Sequence, residues 1–144
     1  QHWRNAKPCA GALVTHDGAL LLVRRAFAPY EGWWDIPGGF CDPDEHPADA
    51  AVREVREETG LEVGVTGLLG MWMDTYRQHG AIQSTLNVYF TARPLGPVTI
   101  TLDRSEASEA RWFAPRDLPE QVAFPDHTGS VLAAWREGNP TRSG

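Results

Sequence analysis

The stretch Gly39 to Leu61 reads GFCDPDEHPADAAVREVREETGL, and its second half decides what the chain can be. From Pro47 to Thr59 the residues Ala48, Ala51, Val52, Val55 and Thr59 recur at helical spacing, and Gly60 supplies a stop just past the last turn. The spacing predicts a helix over 47–59. At about 100° per residue, Glu54, Glu57 and Glu58 fall in one arc and the apolar residues in a neighbouring one. One side packs and the other is acidic. Glu54 and Glu58 stand one turn apart, a like-charged arrangement that costs about a few tenths of a kcal/mol in an isolated helix. A bound cation turns that cost into affinity. An arbitrary acidic helix with Arg53 and Arg56 interleaved is most simply a solvated face laced by ion pairs. The surroundings of this one change the reading.

Upstream, Ala10 to Arg25 reads as a hairpin, two apolar runs separated by Thr15-His16-Asp17-Gly18, whose Asp-Gly pair suits a tight turn. Pro29 to Gly39 is rich in breakers and aromatics and reads as an ordered loop with one short strand before Pro37-Gly38-Gly39. Downstream, Leu61 to Tyr76 and Ile82 to Ala92 read as two longer strands joined by a turn over Arg77 to Gly80. A loop at Pro94 to Pro97, a short strand at Ala110 to Phe113 and a helix over 126–136 complete the pattern. There is no internal repeat and no linker, so the 144 residues are expected to form a single domain, 1–144.

Composition narrows the function. A net charge of −6 opposes non-specific attraction to nucleic-acid phosphates, so no nucleic-acid partner is expected. No apolar stretch reaches the roughly 20 residues of a membrane span, and QHWRNAKPCAGALV lacks the basic-then-apolar layout of a signal peptide. A soluble, cytoplasmic protein without a membrane partner is the expectation. The sequence starts at Gln1 rather than Met, as in a chain trimmed from a longer one. Cys9 and Cys41 sit in no metal-ligand spacing and are too few for a disulfide framework. None of the histidines forms HExxH or another paired metal spacing, and only His127, beside Phe124-Pro125-Asp126, merits attention. Gly38-Gly39 is no dinucleotide fingerprint, since GxGxxG is absent.

From Gly39 the chain runs Gly39, five residues, Glu45, seven residues, Arg53-Glu54-Val55, one residue, Glu57-Glu58, one residue, Gly60-Leu61. This resembles the complete Nudix box without a departure. With Gly and Glu each near about 7% of ordinary composition, nine specified positions coincide with odds on the order of one in a million, which excludes accident. The hairpin before the box and the strands after it also follow the family's order. The resemblance implies an α/β fold, an α/β/α sandwich in which a mixed sheet lies between the box helix and the C-terminal helix, and homodimers as a frequent arrangement. It implies a pyrophosphohydrolase whose cofactor is Mg²⁺, with Mn²⁺ able to substitute. It assigns Glu54, Glu57 and Glu58 as metal-binding and catalytic residues, the Gly38 carbonyl as a further metal ligand, and Glu45 with Arg53 as a supporting ion pair. It also places a general base in a late loop, where Glu106 is favoured over Glu109. The metal suits the reaction because phosphates repel a nucleophile until their charge is neutralised.

Substrate contacts are read from the residues themselves. Arg24 and Arg25 end the second predicted strand, and alternation aims one of them at the site, where a guanidinium suits a phosphate. Trp33, Trp34, Trp72, Tyr76 and Phe124 are the aromatics available to stack on a base, with Trp34 and Tyr76 foremost. The aromatic-Pro-aromatic mark of NADH-cleaving relatives is absent from Glu62 to Arg93, the coenzyme A signature before the box is missing, and Arg77 stands where ADP-ribose cleavers often carry Pro. GWWDIPGGF and ARWFAPRDLP resemble the broad bacterial group assigned to ADP-ribose or related nucleotides. A small-molecule nucleotide diphosphate is therefore the expected substrate. A nucleotide-sensing or protein-binding module of the same fold is the alternative, disfavoured because it has little need of all three glutamates.

Overall fold

Two apolar runs form the first strands, β1 (Lys7–His16) and β2 (Ala19–Arg25), and Asp17 and Gly18 turn the chain between them at φ 51° and 78°. The computed structural model describes residues 6–138, so residues 1–5, part of the stretch read above for a leader, lie outside it. The remaining elements are β3 (Trp34–Asp35), β4 (Gly38–Phe40), α1 (Pro47–Thr59), β5 (Val63–Gln78), β6 (Ala81–Pro94), β7 (Ala107–Phe113), a 3-10 turn at Pro115–Asp117 and α2 (Pro125–Gly138). Among the described residues no helix is long and apolar enough to cross a membrane.

The strands pair in the order β3-β2-β1-β6-β5, with β4 added to β1 and β7 to β2. β1 runs parallel to β6 from Lys7↔Thr85 to Val14↔Ala92, and every other strand pair is antiparallel. The sheet is therefore mixed, as expected. β1 and β2 share only Thr15↔Leu20 and His16↔Ala19. Beyond that tip they diverge, β1 toward β4 and β6 and β2 toward β3 and β7, and the site described below lies at the open end.

Period-two alternation sorts the core into two layers. Ala10, Ala12, Val14 and Leu21 face α1, where they pack with Ala50, Ala51 and Val55. Leu13, Leu20 and Leu22 face the other way, onto Val131, Leu132 and Trp135 of α2. This is the predicted α/β/α sandwich. α1 begins where the His46 imidazole accepts the Ala48 N–H at 3.0 Å with Pro47 in the first turn, and it ends at Gly60, whose φ of 78° suits a residue without Cβ. The sequence reading differs mainly in strand length. β7 starts at Ala107 rather than Ala110 because it follows β2 as far as Arg25, and two short strands, not one, flank Ile36-Pro37. Partner length sets such ends, and local composition does not encode it.

Arg53 ties the loop before α1 to the helix. Its Nε and Nη2 donate to Glu45 Oε2 and Oε1 at 2.9 and 3.0 Å, Nη2 donates to the Phe40 carbonyl at 3.1 Å, and Nη1 reaches Glu54 and Glu57. Glu45 also accepts the Asp42 N–H at 2.9 Å, and these bonds hold its carboxyl down to about 2. A depressed carboxyl stabilises the fold above the unfolded value, about 4.3, and that contribution is lost as pH falls toward the folded one. Acid titration of unfolding is thus expected to show Glu45→Gln with lower stability at pH 7 and a flatter decline between about pH 5 and pH 2. A second test concerns Gly11, where a Cβ would meet the Tyr89 ring at 2.8 Å and the Pro37 carbonyl oxygen at 3.0 Å. Gly11→Ala is expected to lower the unfolding free energy in denaturant by about 1–3 kcal/mol, the usual cost of overpacking.

Candidate active site

A cavity of about 440 Å³ opens at the divergent end of the sheet, bounded by Cys9 and Ala10 on β1 and by Arg25 on β2. It has a carboxylate end at Gly38, Gly39 and Glu54, an aromatic wall of Phe27, Tyr76 and Phe124, and a polar floor from β5, β6 and α2.

At the carboxylate end, α1 brings Glu54 and Glu58 within hydrogen-bonding reach of each other. Burial pushes the Glu58 carboxyl well above its usual range, and the neighbouring Glu54 and Asp35 add to the shift. Glu54 is raised by burial too, with Arg53 opposing. The Gly38 N–H donates to Glu58 Oε2 at 3.0 Å. A Cβ on Gly39 would lie 2.7 Å from the Glu54 carboxyl carbon, so the box glycine makes room for that carboxylate. Two acidic groups forced together in a space that admits no side chain fit a divalent cation. Mg²⁺ commonly takes one or two carboxylates, several waters and the substrate's phosphates rather than an all-protein cage.

Glu57 is not part of the pair. Its carboxylate accepts from Arg53 Nη1 at 3.1 and 3.2 Å and its side chain is 53% exposed. Among the described residues no group of three or more His, Cys, Asp or Glu stands in a metal-holding arrangement. The geometry therefore assembles two of the three glutamates that the sequence pattern implied.

The other expected residues separate in the same way. Glu106 lines the cavity, whereas Glu109 is held by Arg24 at 3.3 Å and Arg111 at 2.6 Å and does not. Of the two arginines at the end of β2, Arg25 faces the cavity. It donates to the Pro29 carbonyl at 2.7 Å and to Asp35 at 3.3 Å, and it lies over the rings of Phe27 and Phe124. Arg24 turns away, donating to the Gly32 carbonyl at 2.9 Å and to Glu109. Trp34, expected among the substrate contacts, is instead buried in the α2-side core, edge-on to Phe113 and beneath Arg24 and Arg111. Its size serves packing better there than at an open site. Tyr76 does line the cavity, edge-on to Phe124 at 5.9 Å.

The floor was missed from sequence except for His127. It comprises Asp74, Thr85, Asn87, Tyr89 and His127, with Asp35 of β3 beside them. Burial pushes Asp35 up to about 6 against the pull of Arg25. A signal existed, because Thr85, Asn87 and Tyr89 alternate along β6, and Trp72↔Asn87 and Asp74↔Thr85 face one another across β5 and β6. Polar residues at period two on a buried strand mark a lined cavity.

The NUDIX domain profile matches residues 6–134. A MutT-like protein of Streptomyces ambofaciens is 37% identical over 79% of this chain and 67% of its own, and an ADP-ribose pyrophosphatase of Methanocaldococcus jannaschii is 31% identical over 88% and 72%. The crystal structure of a MutT NUDIX hydrolase from Burkholderia pseudomallei superposes with a TM-score of 0.79 at 26% identity, over 91% of this chain and 98% of that one. The profile match across nearly the whole chain, the identity to these relatives and the shared fold show together that this chain belongs to the NUDIX domain family and is a Nudix hydrolase.

Proposed function

We propose that the chain hydrolyses the pyrophosphate linkage of a nucleoside diphosphate joined to a second group, with ADP-ribose or a related nucleotide as substrate and Mg²⁺ as cofactor. The observation that carries this reading is one cavity lined both by Glu54, whose carboxylate neighbours that of Glu58, and by the Phe27, Tyr76 and Phe124 rings. A diphosphate needs the first and a nucleobase suits the second. The 31% identity to a protein named ADP-ribose pyrophosphatase supports the substrate class.

Glu54 and Glu58 would hold the cation, which when bound neutralises phosphate charge and lowers the pKa of water. Glu106, exposed at the cavity edge, is the group proposed to take the proton from the attacking water. Arg25, anchored by Pro29 and Asp35, fixes the aromatic wall. The products are a nucleoside monophosphate and the phosphorylated second group.

The test is product analysis by mass spectrometry on a panel of ADP-ribose, NADH, nucleotide sugars, dinucleoside polyphosphates and nucleoside triphosphates with Mg²⁺. Cleavage to a monophosphate that EDTA abolishes is expected. Loss of groups that merely support a metal ligand costs about 10–100-fold, so Glu54→Gln and Glu58→Gln should each lower the rate by more than about 100-fold with the fold retained. If nucleotides bind but none is cleaved, the sensing module is the better account. A raised carboxyl destabilises the metal-free fold as pH rises above its unfolded value, about 4.3, and cation binding needs the ionised form. Mg²⁺ is therefore expected to raise Tm more at pH 8 than at pH 5, and Glu58→Gln to remove that difference.

A further inference from the structure

On the floor, three side chains from three elements form a continuous polar chain. His127 Nδ1 on α2 bonds Asp74 Oδ2 on β5 at 2.5 Å, and His127 Nε2 bonds the Tyr89 hydroxyl on β6 at 2.9 Å. The side chains of His127 and Asp74 are 7% and 11% exposed. Tyr89 is buried, and its ring packs where Gly11 has no Cβ. Neither holding a cation at Glu54 and Glu58 nor hydrolysis itself needs this chain. Buried polar groups are costly to desolvate, and a network of them is retained only when every member is satisfied.

Proton positions follow from the partners. A carboxylate only accepts, so Asp74 places the imidazole proton on Nδ1, and a neutral ring then has an acceptor at Nε2. The Tyr89 hydroxyl must donate to it. Burial and the nearby Asp35, Cys9 and Asp74 keep that phenol protonated by pushing it well above its usual range. Tyr89 oxygen is left with only lone pairs to offer a ligand. Two residues earlier, Asn87 sends its amide donors to the Trp72 carbonyl at 3.2 Å and Thr85 Oγ1 at 2.9 Å. No bond among the described residues reaches its Oδ1, which is again an acceptor.

We infer that the Asp74–His127–Tyr89 relay, with Asn87, makes the floor an acceptor surface that selects a nucleobase presenting an exocyclic amino group over the same base carrying an oxo group. Tyr89 and Asn87 would touch the base, while His127 and Asp74 are positioning residues. The inference rests on the nucleotide reading above and names the base chemistry that this site takes. Sites built around a hydrogen-bonding group reject the analogue that lacks it, because their own buried groups are left unpaired.

Asp74→Asn gives the sharpest test. Asp74 Oδ1 accepts the Thr75 N–H at 2.7 Å, so the asparagine oxygen is required there and its NH₂ must face His127 Nδ1. That forces the proton to Nε2, from which it is donated to Tyr89, and the phenol O–H turns toward the ligand. A carboxylate-to-amide change beside an imidazole imposes the wrong tautomer in serine proteases for the same reason.

The experiment measures kcat and KM for ADP-ribose and its deaminated hypoxanthine analogue in wild type, Asp74→Asn and Tyr89→Phe. The same pair is run as a calorimetric binding titration with Mg²⁺, which reads preference even when nothing is cleaved. Wild type is expected to prefer the amino compound by at least about 10-fold, mostly in KM. Tyr89→Phe should shrink the ratio, chiefly through KM for the amino compound, and Asp74→Asn should shrink or reverse it. Equal handling of the two compounds by wild type, absence of binding by either, or an equal loss for both in Asp74→Asn would overturn the inference. A lack of turnover with the preference intact in binding would overturn only the hydrolase reading.

Discussion

A buried carboxylate beside a half-buried one is the constraint around which the molecule is arranged. Glu54 and Glu58 project from one face of α1, and burial pushes both toward the neutral form. Their neighbours follow from that. Gly39 has no Cβ because one would occupy the position of the Glu54 carboxyl, and Gly38 turns a backbone donor to Glu58. Arg53 supplies the compensating cation, yet it is shared among Glu45, Glu54 and Glu57 and so cannot neutralise the pair. The protein thus carries local electrostatic strain of the kind that the divalent ion proposed above would relieve. Binding energy and folding energy meet at the same two oxygen-bearing groups.

The helix and its glutamates were legible because they lie in one contiguous segment with a period that composition reveals. The sandwich was legible for a related reason, since alternation in the two apolar runs assigns each residue to one face. Finer placement was not. Strand alternation shows that Arg24 and Arg25 face opposite ways but not which one meets the site, and the pairing of β2 with β7 slips between those very residues. Trp34 fell to the core because its ring meets Phe113 of β7, far along the chain. The floor was hardest of all. Asp74 and His127 are 53 residues apart in sequence, and no local pattern links them.

The elements divide the labour of the site. The box loop and α1 carry the carboxylate end of the cavity, whereas β5, β6 and α2 carry its polar floor. The two sets share little beyond Asp35, which bonds Arg25 at the aromatic wall and contributes charge near Glu58. The β5–β6 hairpin nonetheless reaches both, since Val63, Val88, Phe90 and Ala92 pack in the same layer as Ala50, Ala51 and Val55 of α1.

The parallel pairing of β1 with β6 sets an order of events for the chain itself. β1 occupies the middle of the sheet, yet its longest partner begins near Thr85, after α1 and all of β5. Contacts of such high sequence separation carry a large loop-closure penalty and slow the search for the native topology. On the ribosome, at roughly 5–20 residues per second, β1 waits for seconds with its ladder incomplete while α1 already has every residue that it needs for its own turns. The hydrolytic helix is the part of the machinery that can form early, and the chamber that gives it a substrate is completed only when α2 closes the far side.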